Sequence, residues 1–515
     1  MPGLENVGGG INTRVPAHSK ELRDKKQCVR LQNFRCRDEI TEPIIGTRKF
    51  HGTTLGDRVT AIMPYYNDQT DQFVLLAAAG DSIFKRNEAT NEFTTLVSAL
   101  TPNSIYSSVS RHGVLYIAST SDKLKQYTGG LTLDKVGGGD TQAPSFRVIV
   151  YMKEIDRLFG ISDNAIFGQI SWCDLSQPEI WDGASVERIK LKDGEKVEGA
   201  EVLYGKLVVF CTYTIWIYYV SGNEENWKLE EAPTSVGCVA PNTIKKDGNR
   251  IIFLGESPAH SLGVYAFNGS TSELLTDDIS PTLAEANKNK LRNAAAEIHD
   301  DMYTLSLALG SSEENDTTFD LDLINLKPDG APAIYGPHTY GFISSSVLNN
   351  RQNSKQFLTG DEDGWVYFEN GSTFKSTNGI DGDLIEQSFL SAIHDDDTKN
   401  ILKQYNDLSL FFRPTAYFNA YVRYFISYGS FSENHNFFPA VVSEGFAGDF
   451  DVHAYPQNAI PQLYEFKKYL EMNARGTAIQ IEISNNVKTQ RVEFLGYDYS
   501  FSELHKTERI QSYAV

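Results

Sequence analysis

The chain is poor in cysteine, and what it has is unpaired in pattern. Cys28, Cys36, Cys173, Cys211 and Cys238 are an odd set of five in 515 residues with no C-x-x-C spacing. That argues against a disulfide framework or a zinc site and for buried free thiols in a reducing compartment. Methionine is equally scarce, at 5. No run of about 18 or more apolar residues occurs, so no membrane-spanning helix is expected. The opening MPGLENVGGGINTR lacks the basic-then-apolar layout of a secretory signal. Excess positive charge is missing too: 67 acidic against 47 basic residues leave a net charge of −20, which argues against binding DNA over the whole surface. The first 40 residues depart from this. There Arg14, Lys20, Arg23, Lys25, Lys26, Arg30, Arg35 and Arg37 outnumber the acids, as in an arm that docks on something acidic or a solvated tail.

What is abundant is strand-forming sequence. Tyr and Phe number 26 and 29, and 40 glycines supply turns. From Arg157 to Pro233 short apolar strands are broken by Gly, Asp and Asn, with Trp172, Trp181, Trp216 and Trp227 at strand ends. The same layout recurs over Gln72–Leu96, His112–Val136, Asn249–Ile279 and Lys355–Ser376. A repeat of about 35 to 50 residues, each unit too small to bury its own faces, predicts an all-β fold with a β-propeller of about six to eight blades. A pair of β-sandwiches is the alternative. The expected organisation is an extended N-terminal arm over 1–27, the propeller over 28–385 and a β-sandwich-like C-terminal domain over 386–515. The strand near Cys28–Asn33 is expected to help close the ring. Ser280–His299, with Pro281 at its first turn, is expected to be an inserted helix. GTAIQIEISNNVKTQRVEFLGYDYSF, beginning at Gly476, reads as a hairpin.

No catalytic constellation stands out. No G-x-S-x-G has the strand–turn–helix context, and there is no Walker loop; Gly8–Gly10 and Gly137–Asp140 read as turns. The ten histidines form no H-x-x-x-H or H-x-H pair. His394–Asp397 reads as a solvated acidic linker rather than a cation loop. Gly360–Trp365 contains Asp361, Asp363 and Gly364, and reads as a hairpin turn in which Asp caps its own backbone; a calcium loop is the sharper alternative. The adjacent carboxylates Glu224–Glu225, Glu230–Glu231 and Asp277–Asp278 cannot flank one glycosidic bond if they lie on strands, where neighbours point to opposite faces. Trp172 and Trp181 read as core between blades, with a sugar-stacking surface as the alternative. No catalytic residue, cofactor or metal site is expected.

Several segments resemble the tail proteins of short-tailed bacteriophages. GLENVGGGINTRVPAHS (Gly3–Ser19) is similar to their glycine-rich opening with an INTR-like step. CVRLQNFRCRDEITEPIIGTRKFHG (Cys28–Gly52) resembles their first strand pair, and ISWCDLSQPEIWDG (Ile170–Gly183) resembles a recurring blade segment. KLVVFCTYTIWIYYVSG from Lys206 and the stretch from Thr234 to Gly269 are similar to the strands that follow. The group includes β-propeller tail-hub, nozzle and phage-stabilisation proteins. The resemblance implies a non-enzymatic virion structural protein, made in the host cytoplasm and located in the tail as a head–tail connector component. It would be a homo-oligomer, six copies by analogy, ringed around the path of DNA ejection. Its partners would be a portal or adaptor ring and tail fibre or spike proteins, with genomic DNA passing through without sequence-specific binding. Ile11, Asn12, Thr13 and Arg14 would contact a neighbouring ring. A distal receptor-binding protein is an alternative, and a propeller-type polysaccharide-degrading enzyme a further one.

Overall fold

Short apolar strands with turn residues between them satisfy their backbone by pairing with their chain neighbours, and this chain does so in small antiparallel sheets. The computed structural model describes residues 8–37, 40–67, 71–139, 142–163, 167–257, 260–327, 329–349, 355–371, 373–377, 381–396, 401–413, 418–427, 438–439, 444–448, 466–486 and 493–504. The protein is all-β, as the composition indicates. It divides into two compact units. One holds residues 46–324 and 339–382; the other holds 1–45, 325–338 and 383–515.

The larger unit contains seven successive sheets among the described residues. Sheets 1 to 4 have four strands each, beginning at Val59–Asn67, Tyr106–Arg111, Val148–Met152 and Val197–Leu203. Sheet 5 is centred on Arg250–Ser257 and His260–Phe267; sheet 6 contains Ala295–His299, Met302–Leu307 and Thr317–Leu326. Sheet 7 contains Ser344–Asn349, Lys355–Gly360 and Val366–Glu369. The turns are those the sequence marks. Tyr204 and Gly205 both take positive φ, 52° and 68°, the two-residue hairpin whose twist matches the strands it joins.

Each sheet buries both faces, and the period of two in a strand sends alternate side chains to opposite neighbours. In Lys206–Cys211, Leu207, Val209 and Cys211 pack with Phe159, Ile161 and Ile170 of sheet 3. Val208 and Phe210 pack with Ile251, Phe253 and Phe267 of sheet 5. In Gln72–Ala79, Leu76 and Ala78 face Leu115 and Ile117 of sheet 2, while Leu75 and Ala77 face Leu348, Leu358 and Val366 of sheet 7. Sheet 7 therefore packs on sheet 1. Its outer strand is Thr47–Lys49, drawn from far upstream, with Phe368 opposite Arg48.

The smaller unit is two antiparallel sheets face to face. One runs Phe34–Arg37, Ile40–Pro43, Glu493–Glu503, Lys403–Arg413, Phe466–Gly476; the other includes Pro332–His338, Arg30–Gln32, Gln387–Leu390, Ala478–Asn485 and Phe418–Ser427. Phe389 of the second sheet packs on Phe494 and Tyr497 of the first, at 5.5 and 6.1 Å between ring centres.

Several expectations change. Arg30–Gln32 pairs with Gln387–Leu390 and not with the seven-sheet unit; Thr47–Lys49 supplies the outer strand of the last sheet instead. The boundary expected at 28 accordingly falls at 46. Only Ser280–Ala284 of the expected helix is α-helical, and Ala295–His299 is a strand, because Ala295 and Ala296 are the small residues that a fully buried sheet face accommodates. Residues 478–485 and 493–503 do not form a hairpin: they lie in opposite sheets, and residues 487–492 between them fall outside the described set. Finally, residues 8–27 of the expected arm are folded in rather than extended away. Ile11 bonds through its N–H to Ile334 O at 2.8 Å, and Ser19 caps a short helix, Lys20–Asp24.

Close packing between sheets makes a sharp test. A Cβ at Gly160 in sheet 3 would lie 2.5 Å from the ring of Phe146, itself buried against Trp181 at 4.8 Å. Gly160→Ala is expected to lower stability by about 1–3 kcal/mol through overpacking. Phe146→Leu is expected to recover part of that loss in the double variant; a double-variant cycle from chemical denaturation that shows no coupling would contradict this packing.

Candidate functional site

The first strands of sheets 2, 3 and 4 line a cavity of about 840 Å³ in the seven-sheet unit. Its lining includes Ser104, Arg147, Glu198, Asn242, Lys245 and Arg292. A smaller pocket of about 140 Å³ adjoins it at Asn242 and Lys245 and is walled by Thr60, Ser344 and Ser345. Local structure explains why charged groups point inward. The strand Val197–Leu203 has a register shift between Val197 and Gly199, and Gly199 lies against Ile244, where a Cβ would come within 2.2 Å of its Cδ1. The bulge re-aims Glu198. Glu198 is buried and accepts from Arg147 Nη1 and Arg292 Nη2, both at 3.2 Å, and from Thr212 Oγ1 at 3.4 Å. Arg292 sits on the 3₁₀ turn Leu291–Asn293, anchored by buried Leu291. Lys245 pairs with Glu297 at 2.9 Å. Burial holds the Glu201 carboxyl above its ordinary range, against the Val202 N–H, Lys246 and Lys245, which pull it down.

The segment Ile170–Gly183 takes part in a structural clasp. Asp156, in a left-handed turn with φ 47°, accepts from Arg111 Nε and Nη2 at 2.9 and 2.8 Å, Tyr151 OH at 2.8 Å and Ser176 Oγ at 2.7 Å. His112 Nε2 lies 3.1 Å away. The Arg111 hydrogen bonds, foremost, hold the Asp156 carboxyl well below the usual carboxylate range; burial opposes them, and Ser176, Tyr151 and His112 add to them. Trp181 is buried and donates Nε1 to Pro178 O at 2.8 Å; Trp172 is buried against Trp227. Both are core, and neither offers a sugar platform.

Asp361 behaves as a turn cap. Its Oδ1 accepts from the N–H groups of Asp363 and Trp365 at 3.0 and 2.8 Å and its Oδ2 from Tyr367 OH at 2.9 Å, while Gly364 takes φ +84°. Nearby, His51 Nε2 accepts from Val366 N–H at 2.9 Å, and Lys49 Nζ sits 3.7 Å over the Trp365 ring. The turn thus fastens the upstream strand Thr47–Lys49 to its sheet. The carboxylate pairs are dispersed in the same way: Glu224 bonds Arg157 at 2.6 Å, Glu231 bonds Lys192 at 3.0 Å, and Glu230 bonds Lys228. Among the described residues no group of three His, Cys, Asp or Glu side chains is placed to hold a metal ion. His435, His453 and His505 lie outside the described residues.

In the smaller unit the residues singled out at Ile11–Arg14 are brought together but differently employed. Ile11 and Asn12 are buried; Asn12 Nδ2 donates to Gln27 Oε1 at 2.9 Å and its Oδ1 accepts from Arg14 N–H at 2.9 Å. Thr13 and Arg14 remain exposed, Arg14 beside Glu21 at 3.4 Å. The local basic excess is met by acids of the same unit: Arg23 pairs with Asp395, Lys25 with Asp329, Arg30 with Glu482. His394 and Asp395 are not a solvated linker but buried, and Asp397 falls outside the described residues. Lys403, fully buried, donates to Asp395 O and Thr477 O at 2.7 and 2.9 Å. His394 Nε2 lies 2.6 Å from Tyr497 OH.

No family model matches the chain, and no curated protein matches it. Solved structures similar in part include the AfRom2 CNH domain, with a TM-score of 0.36 and 9% identity over 64% of this chain and 97% of that one. A chain of a mitotic checkpoint complex gives 0.39 and 11% over 63% and 94%. The extracellular domain of the putative hybrid two component system BT4673 from B. thetaiotaomicron gives 0.36 and 11% over 71% and 50%. Likenesses this distant say nothing of what this chain does.

Burial, with a smaller push from Arg23, depresses the His394 imidazole to about 3. A depressed histidine stabilises the fold fully above its unfolded value near 6.5, and that contribution drains away as pH falls toward about 3. Asp396, raised chiefly by burial, has the opposite sign: it favours the fold while protonated, and this is lost as pH rises through its folded value. The thermal midpoint is therefore expected to fall between pH 6.5 and 4, and His394→Gln to flatten that part of the profile. An unchanged slope in the variant would remove His394 as the cause.

Proposed function

We propose that this chain is a structural component of a short-tailed phage tail, a seven-bladed β-propeller that joins a hub or nozzle ring on the DNA-exit path and anchors other tail proteins. The observation that carries the propeller is sheet 7, packed on sheet 1 and completed by Thr47–Lys49, which joins the two ends of the blade series with one upstream strand. Ser344 Oγ donates to Val59 O at 2.6 Å across the same junction. A ring of blades needs no reactive centre to be useful; it is a stiff body that presents loops and edges to neighbours. The tail assignment is supported by the resemblance of Gly3–Ser19, Ile170–Gly183 and the strands that follow. Consistent with it, Ser176 of Ile170–Gly183 braces, within its own blade, the Asp156 carboxylate that Arg111 of the preceding blade grips. A net charge of −20 suits a surface along which DNA slides without adhering. In the smaller unit, Thr13 and Arg14 are the exposed members of the INTR step, on the surface that would meet a neighbouring ring.

Electron microscopy and native mass spectrometry of the purified full-length chain, alone and with a portal–adaptor complex, test the assignment. Closed rings, six copies by analogy, or stable capture by the adaptor are expected. A protein that stays monomeric and ignores the adaptor, but binds host glycans, would replace this reading with a receptor-binding one.

A further inference from the structure

We propose that the 840 Å³ cavity among the first strands is a binding site for a small molecule bearing an oxyanion, phosphate or carboxylate. The chain as a whole has more acids than bases, 67 to 47, yet the cavity reverses the ratio. Its basic lining residues are Arg147, Lys153, Lys245, Lys246 and Arg292; its acids are Glu154, Glu198 and Glu201. Burial raises the Glu201 carboxyl, which weakens its opposition to a bound anion. The local field inside the cavity is thus positive within an acidic molecule, which concentrates anions there.

Among the lining groups without a hydrogen-bond partner are two donors. Arg292 gives one N–H to Glu198 at 3.2 Å, while its Nε is shut off from water and meets no acceptor among the described residues. Thr60 Oγ1, on a residue only 7% exposed in the adjoining pocket, has no partner there either. A buried donor without an acceptor is costly, and a guanidinium fork is shaped for the paired oxygens of phosphate or carboxylate. The volume lies within the range of pockets that enclose a ligand of nucleotide or sugar-phosphate size. Asn242, Ser104, Ser107 and Ser108 supply neutral polar groups on the same walls for the rest of such a molecule.

Isothermal titration of the full-length protein with pyrophosphate and with citrate, at constant ionic strength, tests the site. Saturable binding of either is expected, and the stronger of the two reports which oxyanion the cavity prefers. Affinity should fall about tenfold in Arg292→Gln. It should rise several-fold in Glu198→Gln, because the competing carboxylate is gone. If that variant does not fold, Lys246→Gln, on the exposed rim, should weaken binding by roughly threefold. No saturable heat with either probe, or identical affinities in wild type and in variants that melt normally, would overturn the proposal. These outcomes are independent of whether the protein assembles into a ring.

Discussion

Two-sided burial governs this molecule. A four-stranded antiparallel sheet of about 30 residues cannot stand alone, because it leaves one or both apolar faces in water. Here neighbouring sheets solve the problem for one another. Leu207, Val209 and Cys211 go one way and Val208 and Phe210 the other, so a near-continuous apolar run is the signature of a sheet flanked on both sides. The first and last sheets obey the same rule with each other: Leu75 and Ala77 meet Leu358 and Val366.

Polar residues then do the fastening that apolar contact leaves unspecific. Hydrophobic burial fixes that sheets pack, but not which turn meets which. Asp156 gathers Arg111, Tyr151 and Ser176 across sheets 2 and 3, and Asp361 organises the turn that receives His51 and Trp365. Both carboxylates are saturated by hydrogen bonds, which is why neither is a candidate for catalysis or for a cation. The charges that face the cavity differ in kind, since there Arg147 and Arg292 converge on a single carboxylate oxygen.

What could be read from residues alone was what local pattern determines. The apolar run in Lys206–Cys211, the Tyr204–Gly205 turn and the capping role of Asp361 are all written in short stretches, and the tryptophans lie in the core as their apolar neighbours indicate. Pairings over long distance are not written there. Arg30–Gln32 looks like a strand, but nothing in it names Gln387–Leu390 as partner. The Ser280–His299 segment misleads because alanine is the best helix former and also the smallest side chain for a crowded sheet face; at Ala295 and Ala296 packing overrides propensity. The cavity was invisible for the same reason as the long pairings. Arg147, Glu198 and Arg292 come from three separate places, and the one local hint is the pair of carboxylates, Glu198 and Glu201, in the strand Val197–Leu203.

The strand Thr47–Lys49 imposes a schedule on biosynthesis. Its partner, Val366–Glu369, leaves the ribosome roughly 300 residues later, and at about 5–20 residues per second that is a delay of roughly 15–60 s. Throughout this interval the nascent polypeptide carries an unmated β edge, and the innermost face of Gln72–Ala79 has no cover on one side. Translation speed and chaperone occupancy over that window therefore bear on yield more directly than any single contact in the finished molecule.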